Sequence, residues 1–346
     1  VWLIEAAWRC GRSPFEHSGR PRFAGRLNSG VSSHRMHSAD SNVGGDDDAV
    51  QQPELPMFTP PVKGERILSN ATGNTYWIGD TIGEGSFGVV YECSDSWGNE
   101  LAVKVLKPRG TYDHVRGAAV AEFEKLQSLR HPNITYIHDA FEYRHTFYIV
   151  VERCTRSIQY MIDEAKLDGE RVILPLARCV LQAVHFVHVN GFAHQDIHSG
   201  NVFVSWVRDE MGASDGALTF KVGDLGIAKF IGEMDAATTI LADWIRAPEA
   251  IDNPEFGPLD QRMDIYHCGL LFLQVLTGTH LDFSREEVLA GAPRQAALQL
   301  PEPYNFAIEK ALRRHVAFRT ATAMEFWRDL NSPAEGGIPQ STESAS

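Results

Sequence analysis

No C-x-x-C pair occurs among the five cysteines of this 346-residue chain, no apolar run approaches the ~20 residues that cross a bilayer, and the net charge is not positive. Each absence removes a class of function. Cys10, Cys93, Cys154, Cys179 and Cys268 are odd in number and widely spaced, which argues against a zinc or dithiol centre and fits a reduced, cytoplasmic chain. The most apolar stretch, residues 268–276, reads as a buried helix, so no membrane span is expected. A formal charge of -13 gives nucleic acid and anionic membranes no basic face to bind by default. Residues 1–4 are apolar but follow no basic segment, so no signal peptide is expected; without an initiator Met the chain reads as a fragment or a processed form. There is no internal repeat, and nothing specifies an oligomeric state. What is present is length enough for a sizeable core in one two-lobed domain or two domains.

Residues 1–74 are rich in Arg, Ser, Gly and His, carry the acidic run Asp46 to Asp48, and show no sustained period of two or 3.6, so little fixed structure is expected there. From Tyr76 the pattern turns to short β-branched runs between turn signals: Val89-Val90-Tyr91, residues 101–106 and residues 147–151. One helix interrupts this sheet, with Val120, Phe123, Leu126 and Leu129 on one face and His131-Pro132-Asn133 as its stop. Beyond Glu152 the character is helical. Leu176, Val180, Leu181, Val184 and Val187 form one stripe that Asn190-Gly191 ends, and Ser284 with Glu287 and Thr322 with Glu325 form two capping boxes. From Ser332 the chain reads as a loose polar tail.

Four groups of residues carry chemistry. In Ile82-Gly-Glu-Gly-Ser-Phe-Gly-Val-Val90, three glycines let backbone N–H groups approach phosphate oxygens; a ligand-free glycine turn reads the same way in isolation. A dinucleotide fold fits less well, because strand and not helix follows. Lys104 shares a strand face with Ala102 and Leu106, so its stem lies along apolar surface while its ammonium reaches a phosphate or a carboxylate, with Glu122 as the candidate partner; a snorkelling surface lysine is the plainer alternative. In His194-Gln-Asp196-Ile-His198-Ser-Gly-Asn201, an aspartate can orient a hydroxyl and take its proton, and an asparagine five residues on can offer an oxygen to Mg²⁺. His194, Asp196 and His198 also alternate like ligands on one strand face, as in a metal-hydrolase site, and an Asx-turn network is a further reading. Asp224, between Gly223 and Gly226, is a hard oxygen ligand.

The order of these groups resembles a eukaryotic-type protein kinase domain over residues 75–330, a bilobal α+β fold with a small β-rich lobe (75–152) and a larger, mostly α lobe (155–330), leaving 331–346 as the tail. The resemblance implies ATP and Mg²⁺ as cofactors and a protein serine or threonine hydroxyl as acceptor. Gly83, Gly85 and Gly88 would then cover the phosphates, Lys104 hold them, and Glu122 anchor Lys104. Asp196 would be the catalytic base, with His198 beside it, and Asn201 and Asp224 the metal ligands. Residues 152–154 resemble the hinge, where backbone groups of Glu152 and Cys154 would meet the adenine edge, with Val151 as gatekeeper and Val90, Ala102 and Phe203 around the ring. Ala247-Pro248-Glu249 resembles the end of an activation segment, with Arg319 placed to pair with Glu249, and Asp264-Ile-Tyr-His-Cys-Gly269 the start of the central buried helix.

Departures accompany the matches. Gln195 stands where many members carry Arg, Leu225 where Phe is usual, His198 where serine/threonine kinases carry Lys, and Ala242 where Thr is common. Residues 205–220 make a longer hairpin than usual, and Thr238 and Thr239 are either phosphorylation sites or ordinary loop residues. Two rival functions follow. A small-molecule phosphotransferase of the aminoglycoside or choline kinase type is suggested by His198, and a pseudokinase scaffold by the departures together.

Overall fold

The computed structural model describes residues 59–85, 88–107, 129–207, 217–225, 229–230, 234 and 245–331. Glu122 and the helix expected around it, with Ser86, Phe87, Gly226, Thr238, Thr239 and Ala242, lie outside those residues.

Alternation of apolar and polar residues builds the first lobe. Strands β1 (Arg66–Leu68), β2 (Thr75–Glu84), β3 (Gly88–Asp95), β4 (Glu100–Leu106), β5 (Ile137–Tyr143) and β6 (Thr146–Glu152) form one antiparallel sheet in the order β1-β2-β3-β4-β6-β5. One face buries Tyr76 and Ile78 of β2, Val89, Tyr91 and Cys93 of β3, Leu101, Val103 and Val105 of β4, and Tyr148 and Val150 of β6. Phe141 stacks between Tyr76 and Tyr148, with centroids 5.9 and 5.5 Å away.

The folded body begins earlier than residue 75, where the composition placed its start. β1 pairs with β2 and buries Ile67, and the turn after it is tied down by a fully buried carboxylate, Asp139, which accepts Thr72 Oγ1–H at 2.5 Å and Tyr76 O–H at 2.9 Å. A three-residue strand has too few alternations to register as a period, and its stability comes from the partner strand.

The second lobe is helical: α1 (Ile158–Asp163), α2 (Gly169–Val189), α3 (Pro248–Ile251), α4 (Asn253–Phe256), α5 (Arg262–Thr277), α6 (Arg285–Ala290), α7 (Ala292–Ala297), α8 (Tyr304–Ala311) and α9 (Ala323–Asn331). Short strands β7 (Arg156–Ser157), β8 (Phe192–Ala193), β9 (Val202–Val207), β10 (Ala217–Val222) and β11 (Lys229–Phe230) complete it, with β9 and β10 as the expected hairpin. Helix α2 has the length and composition of a membrane span, yet the stripe Leu176, Val180, Leu181, Val184 and Val187 is buried against α5, α9 and β10. Asp168 caps its start, and Gly191, at φ +84°, turns the chain out of its end. Residues 268–276 fall in α5, buried from Met263 to Val275. The Ser284 capping box is complete, whereas at Thr322 only half forms: Glu325 N–H reaches Thr322 Oγ1, but the Glu325 carboxylate takes Ala321 N–H and the Lys310 ammonium instead.

Candidate active site

Strand register assembles the first half of the site. Val90 lies opposite Lys104, Lys104 opposite Ile149 and Ala102 opposite Val151, so Val90, Ala102, Lys104 and Val151 share the sheet face turned away from the aromatic core. The three glycines serve different ends. A Cβ on Gly88 would lie 2.5 Å from the Val105 carbonyl oxygen, so this glycine permits close approach of β3 and β4. Around Gly83 and Gly85 a Cβ would meet nothing within 4 Å among the described residues, leaving open space above the turn. Lys107 holds that turn, donating to Glu84 Oε1 at 2.7 Å and to the Gly85 carbonyl at 3.2 Å. Gly88→Ala should therefore lower stability by about 1–3 kcal/mol, while Gly83→Ala and Gly85→Ala should melt like the wild type. Parallel thermal melts check the contrast.

The second half hangs from one buried carboxylate. Asp264, in the first turn of α5, accepts the backbone N–H of His194 at 2.8 Å and of Gln195 at 2.7 Å, together with His188 Nε2–H at 2.8 Å. Burial pushes its carboxyl up, but the hydrogen bond and charge of His188, with the charges of His194 and His267, outweigh this and hold it at about 2. The anchored loop is irregular. Gln195 has a left-handed backbone (φ +69°), and its buried side-chain amide meets no hydrogen-bond partner among the described residues.

Out of this loop come Asp196 and Asn201. Asn201 Nδ2 donates to Asp196 Oδ2 at 2.9 Å and to the Asp196 backbone carbonyl at 3.0 Å, which leaves Oδ1 as the acceptor end of the Asn201 side chain. His198 Nδ1 accepts Gly200 N–H at 3.0 Å, so in neutral imidazole the proton is on Nε2, 3.6 Å from Asp196 Oδ1. Burial raises the Asp196 carboxyl, yet the hydrogen bond and charge of His198 and the charges of His194 and His267 bring it below the ordinary aspartate range.

The metal-hydrolase geometry does not form. His194, Asp196 and His198 are not on a strand, since β8 ends at Ala193; His194 Nδ1 accepts Asp196 N–H and its Nε2–H donates to the Gly223 carbonyl. Among the described residues no three His, Cys, Asp or Glu side chains gather as a metal site.

The two halves meet at Asp224. Gly223 N–H donates to the Asn201 carbonyl at 2.8 Å, and Asp224, also left-handed (φ +57°), receives Lys104 Nζ at 2.6 Å on both carboxylate oxygens. A Cβ on Gly223 would lie 2.7 Å from the Phe203 ring, which packs against the backbone beside Asp224. Leu225 follows as a buried apolar plug. Lys104, Asp196, Asn201 and Asp224 are thus joined by direct contacts and one shared loop backbone. Glu152 ends β6, and Cys154 lies in the connector from β6 to β7. Burial, with the charge of Glu152 adding to it, pushes the Cys154 thiol up to about 12, which makes it a protonated thiol and not a nucleophile. Unforeseen in the sequence was Lys221, whose ammonium pairs with the Glu152 carboxylate, and no spacing pattern marks it; Asn133, read there only as part of a helix stop, donates to the Phe220 carbonyl of β10.

A small antiparallel sheet and a helical body joined by one connector, with a strand lysine meeting an aspartate of the second lobe, define the bilobal protein kinase fold. A family model described as "Protein kinase domain" matches residues 76–318, more than half of the chain, and the chain belongs to that family. Cyclin-dependent kinase-like 1 of Caenorhabditis elegans is 26% identical over 211 residues, covering 60% of this chain and 56% of the relative. Cyclin-dependent kinase-like 4 of Mus musculus is 29% identical over 206 residues, covering 58% and 56%. Probable serine/threonine-protein kinase zyg-1 of Caenorhabditis briggsae is 29% identical over 199 residues, covering 57% of this chain and 26% of the relative. The matched region thus spans from about a quarter to just over half of these relatives' lengths.

Proposed function

We propose that the chain is an ATP- and Mg²⁺-dependent kinase acting on serine or threonine hydroxyls of a protein substrate. The observation that carries this reading is the junction itself, where the ammonium of Lys104 meets the Asp224 carboxylate of the other lobe and Asn201 Nδ2 holds the Asp196 carboxylate in the adjoining loop. The donor set fits the cofactors. One carboxylate and one amide carbonyl are hard oxygen ligands of the kind Mg²⁺ takes together with phosphate oxygens, and the open space at Gly83 and Gly85 leaves backbone room for phosphates. ATP with Mg²⁺ supplies the transferable γ-phosphoryl group and much of its countercharge.

The protein's own residues orient and hold. Val90, Ala102, Val151 and Phe203 offer apolar surface for a planar base, and the backbone of Glu152 and Cys154 offers its edge hydrogen bonds. Lys104 presents a positive charge at a site less than one-fifth exposed, where it acts more strongly than in water. Asp196, ionised and oriented by Asn201, holds an acceptor hydroxyl and takes its proton. The relatives' printed names favour serine/threonine over tyrosine.

The test is transfer from radiolabelled ATP by the purified chain to protein acceptors and, in parallel, to aminoglycosides and choline, with and without a chelator. Label should appear on serine or threonine of protein, vanish on chelation, and fall by at least about 100-fold in Lys104→Met. Label confined to the small molecules would establish the metabolite phosphotransferase. Equal signals from wild type and Lys104→Met would establish a non-catalytic scaffold.

A further inference from the structure

The loop from His194 to Asn201 is rooted on Asp264 at one end, but its crest is held by a different element. Ser199, fully buried at that crest, is gripped twice by Gln159 of α1: its carbonyl accepts Gln159 N–H at 2.8 Å, and its hydroxyl donates to Gln159 Oε1 at 2.5 Å. The first bond uses one of the N–H groups that a helix start leaves without an intrahelical partner. The second uses the side-chain amide, whose two ends are assigned by their neighbours. Gln159 Nε2–H donates to Asp163 Oδ1 at 2.8 Å, one turn along α1, and that carboxylate pairs with His280 Nε2 at 2.7 Å. Gln274 Nε2–H, from the buried part of α5, adds a longer bond of 3.4 Å to the same Oε1. Turning the amide over would set its donors against those of Gln274 and its oxygen against the Asp163 carboxylate, so its orientation is fixed.

The crest itself has little slack. Asn201 N–H donates to the His198 carbonyl at 2.9 Å and Gly200 N–H to His198 Nδ1 at 3.0 Å, and a Cβ on Gly200 would lie 2.8 Å from the His198 ring. A shift of Ser199 therefore carries His198, Gly200 and Asn201 with it, and Asn201 is the residue that orients the Asp196 carboxylate. We propose that Gln159 is a positioning residue: clamping the Ser199 hydroxyl, it fixes the crest of the loop and so the aim of Asp196 at the acceptor hydroxyl, without touching nucleotide or acceptor itself. The proposal rests on the reading of Asp196 as the base of a kinase. A side-chain amide suits the task because it accepts from the loop at one end while the other end is tied to its own helix.

The experiment compares Ser199→Ala, Gln159→Leu and the double variant in the full chain by three readouts: single-turnover transfer to the protein that the radiolabel test identifies as acceptor, KM for ATP, and amide hydrogen exchange without nucleotide. Each single variant should slow transfer about five- to tenfold, the scale of a small misplacement of a reacting group, with KM for ATP changed less than about twofold. The double variant should be within about twofold of the slower single one, since both remove the same contact. Exchange at Gly200 and Asn201 should quicken in all three, while Val180 and Val184 in the middle of α2 keep their wild-type protection. Gln159→Leu strands the Ser199 hydroxyl in the interior and lowers stability, so Ser199→Ala, which leaves Gln159 Oε1 to Gln274, decides where Gln159→Leu folds poorly. Wild-type transfer in Ser199→Ala overturns the clamp, as do a loss that sits in KM for ATP, losses that multiply in the double variant, or unchanged exchange at Gly200 and Asn201. A wild type that labels no protein acceptor overturns the kinase reading instead, and the exchange arm then still decides whether the clamp exists.

Discussion

Asp196→Asn should leave the protein folded and lower phosphate transfer by about 10²- to 10⁴-fold, the usual worth of a positioned general base. The substitution is nearly isosteric, and the new amide oxygen can still accept from Asn201 Nδ2, so the contact that orients the side chain survives. Only the capacity to take a proton is lost. The pH dependence has a definite sign. Because the Asp196 carboxyl is held below the ordinary aspartate range, near 3.9, the base form persists as pH falls past about 4, and no acid loss of rate from this residue should appear above that point. The linked stability has the same sense: it is fully present above the unfolded pKa and is lost as pH falls through the lower folded one. A rate profile from about pH 4 to 9, with a thermal melt of each variant, makes the check; a loss of less than tenfold with an unchanged melt would remove Asp196 from the role of base.

The largest loss of stability should come from Arg319→Met, about 3–5 kcal/mol. Arg319 and Glu249 are both completely buried, and the guanidinium grips the carboxylate with two bonds of 2.5 and 2.7 Å. Its remaining N–H groups go to the carbonyls of Arg313, Arg262 and Arg314, and the Tyr266 ring lies 4.9 Å from its central carbon. All five donors are used, which is the condition under which a buried ion pair is well compensated. Methionine fills similar volume but leaves the Glu249 carboxylate and three carbonyls facing apolar atoms. A fall in melting temperature on the order of 10 °C follows for a domain of this size. The double variant Arg319→Met with Glu249→Met should recover part of the loss, since it removes the stranded charge as well. A double-mutant cycle of denaturant unfolding measures this, and additive losses would show that the two residues do not act as a pair.

That pair, 70 residues apart, and the helix that Asp264 begins were anticipated only through the family resemblance, whereas the groups from Lys104 to Asp224 were legible in the residues themselves. Each of those groups is a short segment whose residue types and spacing are set locally: a glycine turn entering a strand, an aspartate with an asparagine five residues on. The stripe of α2 was legible for the same reason, because period alone marks a buried face. What the sequence did not show depends on pairing across long separations. Lys221 meets Glu152 across 69 residues and Asp139 receives Thr72 across 67, and neither side chain stands in a pattern that announces a partner. Strand β1 was missed likewise, since three residues acquire strand character only from β2 beside them. The functional split among the glycines was also hidden. Gly88 looks like Gly83 and Gly85 in a string of letters, and only the 2.5 Å between its absent Cβ and the Val105 carbonyl oxygen separates a packing glycine from two that leave room.

The carboxylate of Asp264 has a wider meaning. It is wholly enclosed, yet what it grips is the peptide backbone of the loop that presents Asp196, and that grip is rooted in the helix around which the larger lobe is packed. Loosening that loop should therefore break contacts at the start of the buried helix as well. Loss of turnover and loss of cooperative structure should therefore arrive together, as one event.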